Sequence, residues 1–240
     1  MGSEFIVPEY IFPISTSKSG DPKAQKIKAV IGTAFKVHKD IFLTAGHVLS
    51  EIPPDEKPIL GIGENNSFEF YPVKEFKVFE KFDFGVIIAD LPNSKAFNLS
   101  FANLATFSKV YAAGYPHRQL FGGEVEEFCI RGYTGSVVMA GHYSQLAARP
   151  FYYELSFPIP KGLSGGPVCD EKLSVNAFAI GTGKVSLQVA EEIVPIGDGQ
   201  YEKTVFNQFY GIAITLNSIL DLKINYEGKE RTIGSIIKPT

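Results

Sequence analysis

Three short stretches of the sequence hold side chains suited to acyl-transfer chemistry. The first is Gly162-Leu163-Ser164-Gly165-Gly166-Pro167. A serine among glycines suits a tight turn that exposes its hydroxyl and leaves the flanking N–H groups free to face an oxyanion. A bare G-x-S-x-G match is equally well a plain glycine-rich turn. The second stretch is Phe42-Leu43-Thr44-Ala45-Gly46-His47-Val48-Leu49, an apolar run that ends on a histidine. Taken alone, His47 reads better as a histidine satisfied in a core or turn. The third is Phe82-Asp83-Phe84-Gly85-Val86-Ile87-Ile88, with an aspartate at the mouth of an apolar strand. Burying that carboxylate is costly without a partner, and an imidazole N–H is a suitable one. Taken alone, Asp83 is a strand-end residue capping a turn.

Chain order separates the chemistries. The four histidines are His38, His47, His117 and His142, and none follows Ser164. The Ser, acid, His order of an α/β-hydrolase is therefore excluded, and His, Asp, Ser remains. Between His47 and Ser164 stand three aspartates: Asp55, Asp83 and Asp90. Asp55 lies in a proline-rich polar turn and Asp90 at a strand exit, so Asp83 is the acid that enters an apolar strand. Cys129 with His142 would be another nucleophile and base, but Cys129 sits in an alternating apolar segment and reads as a structural thiol. Gly181-Thr182-Gly183-Lys184 lacks the residues of a phosphate loop on both sides. The histidines have no zinc spacing, and no cofactor or metal is expected.

The elements that would position these residues are strands. Short runs rich in Val, Ile, Phe and Tyr, among them residues 27–37, 41–45, 84–88, 110–113, 152–157, 178–181 and 210–214, are separated by Gly, Pro, Asn and Asp signals. That texture predicts an all-β sandwich or barrels. One helix is expected late in the chain, capped by Asn217 or Ser218 and carrying Ile219, Leu220 and Leu222. Residues 91–108 read as a linker between two comparable halves. At 45% hydrophobic and 20% charged residues the composition is that of a globular protein. A net charge of -3 with scattered basic residues argues against a nucleic-acid partner. No apolar run has the roughly 18 residues that span a bilayer. Two cysteines make no disulfide framework, so free thiols and a reducing, cytoplasmic compartment are expected. Residues 1–5 read as a translated cloning scar, and a regulatory domain or partner is expected beyond the chain.

Together these segments resemble the chymotrypsin/trypsin-like serine peptidases, in particular the HtrA-type branch. Gly32-Thr33-Ala34-Phe35 with Leu43-Thr44-Ala45-Gly46-His47-Val48 resembles the strand pair leading to the family's histidine. Asp83-Phe84-Gly85-Val86-Ile87 resembles its aspartate segment, and Gly162 to Pro167 its nucleophile motif. Ala112-Ala113-Gly114-Tyr115-Pro116, Ala177-Phe178-Ala179-Ile180-Gly181-Thr182 and Gly211-Ile212-Ala213-Ile214 resemble strands of its second barrel. The resemblance covers residues 27–225.

It implies two packed antiparallel six-stranded β-barrels with a short C-terminal helix. An N-terminal barrel over 6–104 would carry His47 and Asp83, and a C-terminal barrel over 105–226 would carry Ser164, followed by a tail at 227–240. It implies a serine endopeptidase acting on protein or peptide substrates, with a His47-Asp83-Ser164 triad and the N–H groups of Gly162 and Ser164 as the oxyanion hole. The alternative is a silent or latent domain of the same fold that binds peptides or regulates. Thr182 stands where the family has a serine supporting the triad aspartate. The pocket for the residue before the cleaved bond would be lined by Pro158, Ile159, Thr182, Gly183, Lys184 and Gly211. Pro158 occupies the place of the trypsin acid, so a small or apolar residue is expected in that pocket. Leu163 replaces the aspartate that pairs with a new N-terminus in digestive enzymes, which argues against activation by cleavage. Residues 187–207 resemble an insertion and would form a specificity or regulatory loop.

Overall fold

The computed structural model describes residues 9–18, 29–64, 67–116, 129–170, 176–197 and 200–238. The expected scar at 1–5, the start of the expected strand at 27–37, and His117 lie outside them. The first sheet is built from β1 (Ile11–Ser17), β2 (Gly32–Lys36), β3 (Ile41–Ala45), β4 (Lys57–Glu64), β5 (Ser67–Pro72), β6 (Glu75–Phe79) and β7 (Phe84–Ile88). Its order is β5-β4-β1-β2-β3-β7-β6, and it curls into a half-barrel. The second contains β8 (Asn98–Leu99), β9 (Lys109–Gly114), β10 (Arg131–His142), β11 (Phe151–Leu155), β12 (Pro167–Asp170), β13 (Asn176–Gly197) and β14 (Gln200–Thr215). There β12-β9-β10-β11-β14-β13 closes through a β12–β13 pairing into a six-stranded barrel. Among the described residues every ladder is antiparallel except β8 on β13.

The central strands of the first sheet are apolar at successive positions because both faces are covered. Phe12, Ala34, Phe42 and Ile87 point into a core made of residues from the first sheet and its connections. Their neighbours Ile11, Phe35, Ile41, Leu43, Phe84 and Val86 point the other way. That second face is closed by Ala113, Ala177 and Ile180 of the second sheet, by Tyr115 just after β9, and by Leu216, Ile219, Ile224, Tyr226 and Ile233. A strand buried on both faces loses the alternation of a half-exposed one.

The end of the chain departs from expectation. The helix expected after Asn217 is a single 3-10 turn, Leu216–Ile219. Leu216 and Ile219 are buried, and the Ser218 hydroxyl accepts from the Phe151 N–H at 2.8 Å instead of capping a helix. Residues 227–238, expected as part of a tail, are folded. A hairpin of β15 (Lys223–Tyr226) and β16 (Lys229–Thr232) leads into a short helix, Ile233–Ile237, whose N-cap Thr232 accepts from the Ser235 N–H. Ile224, Tyr226, Ile233, Ile236 and Ile237 bury against the first sheet, and the Tyr226 hydroxyl donates to Asp40 Oδ1 at 2.7 Å. The residues read as a linker also take part. Phe97 packs on Tyr10 and Phe35 of the first sheet's face, while β8, just after it, pairs with β13.

Candidate active site

His47 lies on a five-residue helix, α1 (Gly46–Ser50), which follows β3 directly. Asp83 ends a 3-10 turn, Glu80–Phe82, immediately before β7. β3 and β7 pair with Ala45 opposite Phe84, so the two side chains leave adjacent strand ends on the same side. Asp83 has φ 48°, a left-handed conformation that aspartate tolerates better than most residues, and its N–H returns to the Glu80 carbonyl. Gly46 permits the approach, because a Cβ there would sit 2.7 Å from the Phe84 backbone nitrogen.

The resulting contact is threefold. The His47 N–H donates to Asp83 Oδ1 at 2.8 Å, and Nδ1 of the ring lies 3.0 Å from both carboxylate oxygens. An ionised carboxylate only accepts, so Nδ1 carries the hydrogen and Nε2 of the neutral ring is left as an acceptor. Burial disfavours the charged imidazole. The hydrogen bond to Asp83, its charge and that of Glu51 outweigh this, and the His47 pKa is raised from the ordinary histidine value.

Ser164 lies in a buried turn between β11 and β12. Leu163 is fully buried in the second barrel's core and anchors the turn there. From the other side the turn is held by Thr33 of β2. The Thr33 hydroxyl donates to the Gly162 carbonyl at 2.7 Å and accepts from the Tyr115 N–H at 2.9 Å. Its backbone N–H donates to the Ser164 carbonyl at 2.9 Å, and its carbonyl accepts from the Thr44 hydroxyl. Gly165 has φ +89°, and a Cβ there would meet the Thr33 carbonyl oxygen at 2.0 Å. Its N–H donates to the Gly181 carbonyl. Among the described residues, the N–H groups of Gly162 and Ser164 donate to no other group of the chain. The Ser164 hydroxyl donates to the Thr182 carbonyl at 3.3 Å, and no hydrogen bond joins it to His47 among the described residues.

The six expected pocket residues fall in two groups. Ile159 is 3% exposed, and its side chain lies between Gly181 and Gly211. A Cβ at Gly181 would touch its Cδ1 at 3.2 Å and one at Gly211 its Cγ1 at 3.0 Å. Thr182 is buried, but its hydroxyl is directed to the Ile212 carbonyl at 3.5 Å rather than to Asp83. Gly183 has open space where a Cβ would be. Pro158 and Lys184 are at the surface, the Lys184 ammonium 5.2 Å over the Phe209 ring.

Two positions in this region escape sequence reasoning. Thr33 is one, although a hydroxyl in the otherwise apolar Gly-Thr-Ala-Phe run is a signal, since a buried hydroxyl needs partners. Tyr143, in the β10–β11 turn, is the other. Burial, with the Asp83 and Glu154 charges near it, raises its pKa. That turn docks beside the acid, with the Ala148 N–H donating to the Lys81 carbonyl at 3.1 Å. Cys129 and Cys169 are both free thiols. No group of three metal-ligating side chains occurs among the described residues, and none of their helices is long and apolar enough to cross a membrane.

No family model matches the chain, and no curated protein matches it in sequence. Solved structures do match. The Rv3671c protease of M. tuberculosis in its active form aligns at 16% identity over 88% of this chain and 78% of its own, with a TM-score of 0.59. The HtrA-type protease AlgW with a decapeptide aligns at 18% identity over 87% of this chain and 61% of its own, with a TM-score of 0.56. Deg5 aligns at 15% identity over 74% and 80%, with a TM-score of 0.53. At such identities the likeness is one of fold: with its closed six-stranded barrel and half-barrel sheet, the chain has the chymotrypsin-like fold of the trypsin-like serine proteases, HtrA-type enzymes among them.

Proposed function

We propose that the protein is a serine endopeptidase that cleaves peptide bonds through Ser164, His47 and Asp83. The observation that carries this reading is the contact of His47 Nδ1 with both Asp83 oxygens, which leaves Nε2 as a base beside the turn that bears Ser164. In the reaction the Ser164 hydroxyl turns from the Thr182 carbonyl to His47 Nε2, since catalytic hydrogen bonds often tighten only when substrate is bound. Ser164 Oγ attacks the scissile carbonyl as Nε2 takes its proton. The Gly162 and Ser164 N–H groups receive the developing oxyanion, and Asp83 stabilises the imidazolium. The imidazolium protonates the leaving amine, giving an acyl-enzyme. Water, deprotonated by the same base, releases the acid and restores Ser164.

The residue before the cleaved bond is proposed to be small or apolar. Ile159 occupies the space between Gly181 and Gly211 and leaves an aliphatic floor with no carboxylate. A substrate cation placed there would remain unpaired, which is strongly unfavourable. A peptide-library cleavage profile with wild-type protein and Ser164→Ala tests the reading. The expected result is cleavage after Ala, Val or similar residues by the wild type alone. Cleavage that survives in Ser164→Ala overturns the nucleophile, and a preference for Arg or Lys overturns the pocket. Absence of any cleavage would favour a silent, peptide-binding domain.

A further inference from the structure

Beyond Gly183, opposite Ile212, β13 and β14 leave the second barrel as a two-stranded ribbon that runs to Gly197 opposite Gln200. β11 stops at Leu155 opposite Gly211, and among the described residues no strand pairs with the outer edge of β14 from Gln200 to Tyr210. A two-stranded ribbon with no third strand is marginal in water, and a free edge is a row of unpaired N–H and C=O groups that templates another strand. The two edges of this ribbon are not equally open. β13 has register shifts between Gly181 and Gly183, Gln188 and Ala190, and Pro195 and Gly197, each adding a residue on β13 alone. Such bulges turn an edge away from pairing, and Pro195 has no N–H to offer. β14 runs opposite them without interruption. Its free stretch, Gln200-Tyr201-Glu202-Lys203-Thr204-Val205-Phe206-Asn207-Gln208-Phe209-Tyr210, holds no glycine or proline and is rich in the β-branched and aromatic residues that favour strands.

Alternate residues of a strand share a face, so Tyr201, Val205 and Phe209 lie on one side of the ribbon. They are 68%, 39% and 42% exposed. Ile193, opposite Lys203, adds a fourth exposed apolar side chain to that side. The Lys203 ammonium is paired there with Glu191 at 2.9 Å. We propose that the outer edge of β14 is a dimer interface, on which a second copy of the chain lays its own β14 antiparallel about a two-fold axis at Val205. Val205 is the midpoint of the free edge, so this register pairs the edge over its whole length. It joins the two ribbons into one four-stranded sheet through about ten new backbone hydrogen bonds. Tyr201 of each copy stands opposite Phe209 of the other, an aromatic cross-strand pair made twice, and Val205 stands opposite Val205. Lys203 falls opposite Asn207, and position 202 opposite position 208, a glutamine, so no like charges meet. This self-complementarity is what an isologous interface requires, and it selects a second copy over an unrelated strand.

Sedimentation velocity on the full chain over a range of concentrations tests the interface. A reversible monomer–dimer equilibrium is expected. Val205→Lys brings two ammonium groups together at the axis and should raise the dimer dissociation constant by roughly tenfold or more. Tyr201→Lys should also weaken the dimer, while Leu187→Lys, on β13, should not. Cross-linking gives a second measurement that does not depend on added charge. In a Cys129→Ser background, Val205→Cys should form an interchain disulfide under mild oxidation. Tyr201→Cys and Phe209→Cys proteins should cross-link to each other in a mixture in preference to themselves. A chain that stays monomeric up to about 100 μM overturns the proposal. So does a dimer that the Val205 and Tyr201 variants leave intact, or one whose β14 cysteines fail to cross-link in this register.

Discussion

The Thr33 hydroxyl, on the first sheet, donates to the carbonyl of Gly162, in the second barrel's nucleophile turn, at 2.7 Å. The same oxygen accepts from the Tyr115 N–H, so one buried side chain ties both halves of the fold together at the site. Thr33→Val keeps the shape and removes the hydroxyl. It should cost about 1–3 kcal/mol for each buried partner left unpaired, read as a lowered melting temperature. A positioning role also predicts a fall in kcat at temperatures where the variant is folded, with partial rescue in Thr33→Ser. A variant that melts earlier but turns over normally would leave Thr33 a structural residue only.

The raised His47 pKa sets the acid limb of the rate. The base must be neutral, so kcat/KM should fall as pH drops through a midpoint above the ordinary histidine value. Asp83→Asn removes the charge that raises it. The midpoint should move down, and kcat should fall by roughly four orders of magnitude through loss of the productive tautomer. The same shift has a sign for stability. Its stabilising contribution is present in full below the unfolded-state pKa and is lost as pH rises through the folded one. A pH–rate profile for both proteins checks the first part, and thermal melts at several pH values the second.

Ile159 should be the residue that limits the pocket. Ile159→Ala opens the space between Gly181 and Gly211 and should shift preference from small residues toward Leu or Phe, by roughly tenfold in the kcat/KM ratio. It should also cost about 2–5 kcal/mol of stability as a buried truncation. An unchanged cleavage profile in a folded variant would place the pocket elsewhere.

Gly165→Ala should be poorly tolerated. Its positive φ alone costs a residue with a Cβ about 1–3 kcal/mol, and the added methyl would lie 2.0 Å from the Thr33 carbonyl oxygen. Melting and turnover should both collapse. A stable, active variant would mean that the turn adopts another path.

Much of the site could be read from residue order and the fold from texture. With no histidine after Ser164 and one aspartate leading into an apolar strand, His47 and Asp83 were legible as partners, and the structure sets them in contact. What stayed hidden depends on the third dimension. Position along the chain puts Ile159 in the pocket, yet nothing in Pro158-Ile159 says that its side chain fills the gap between two glycines 22 and 52 residues further on; only the folded chain brings Gly181 and Gly211 to it. Thr182 was expected at Asp83, but a bulge between Gly181 and Gly183 turns that stretch, and its hydroxyl faces Ile212. The segment 227–238 reads as a tail because it lies beyond the last stretch that resembles the family's second barrel. Ile233, Ile236 and Ile237 acquire a core only by packing on a face of the first sheet.

Covalent labelling with a fluorophosphonate probes the central claim most directly, because it needs the nucleophile, the base and the oxyanion donors assembled together. Intact mass and peptide mapping should show one adduct on Ser164 in the wild type, none in Ser164→Ala, and labelling slowed by orders of magnitude in His47→Ala. A folded wild-type protein that takes up no probe, or takes it up at a residue other than Ser164, would contradict the account.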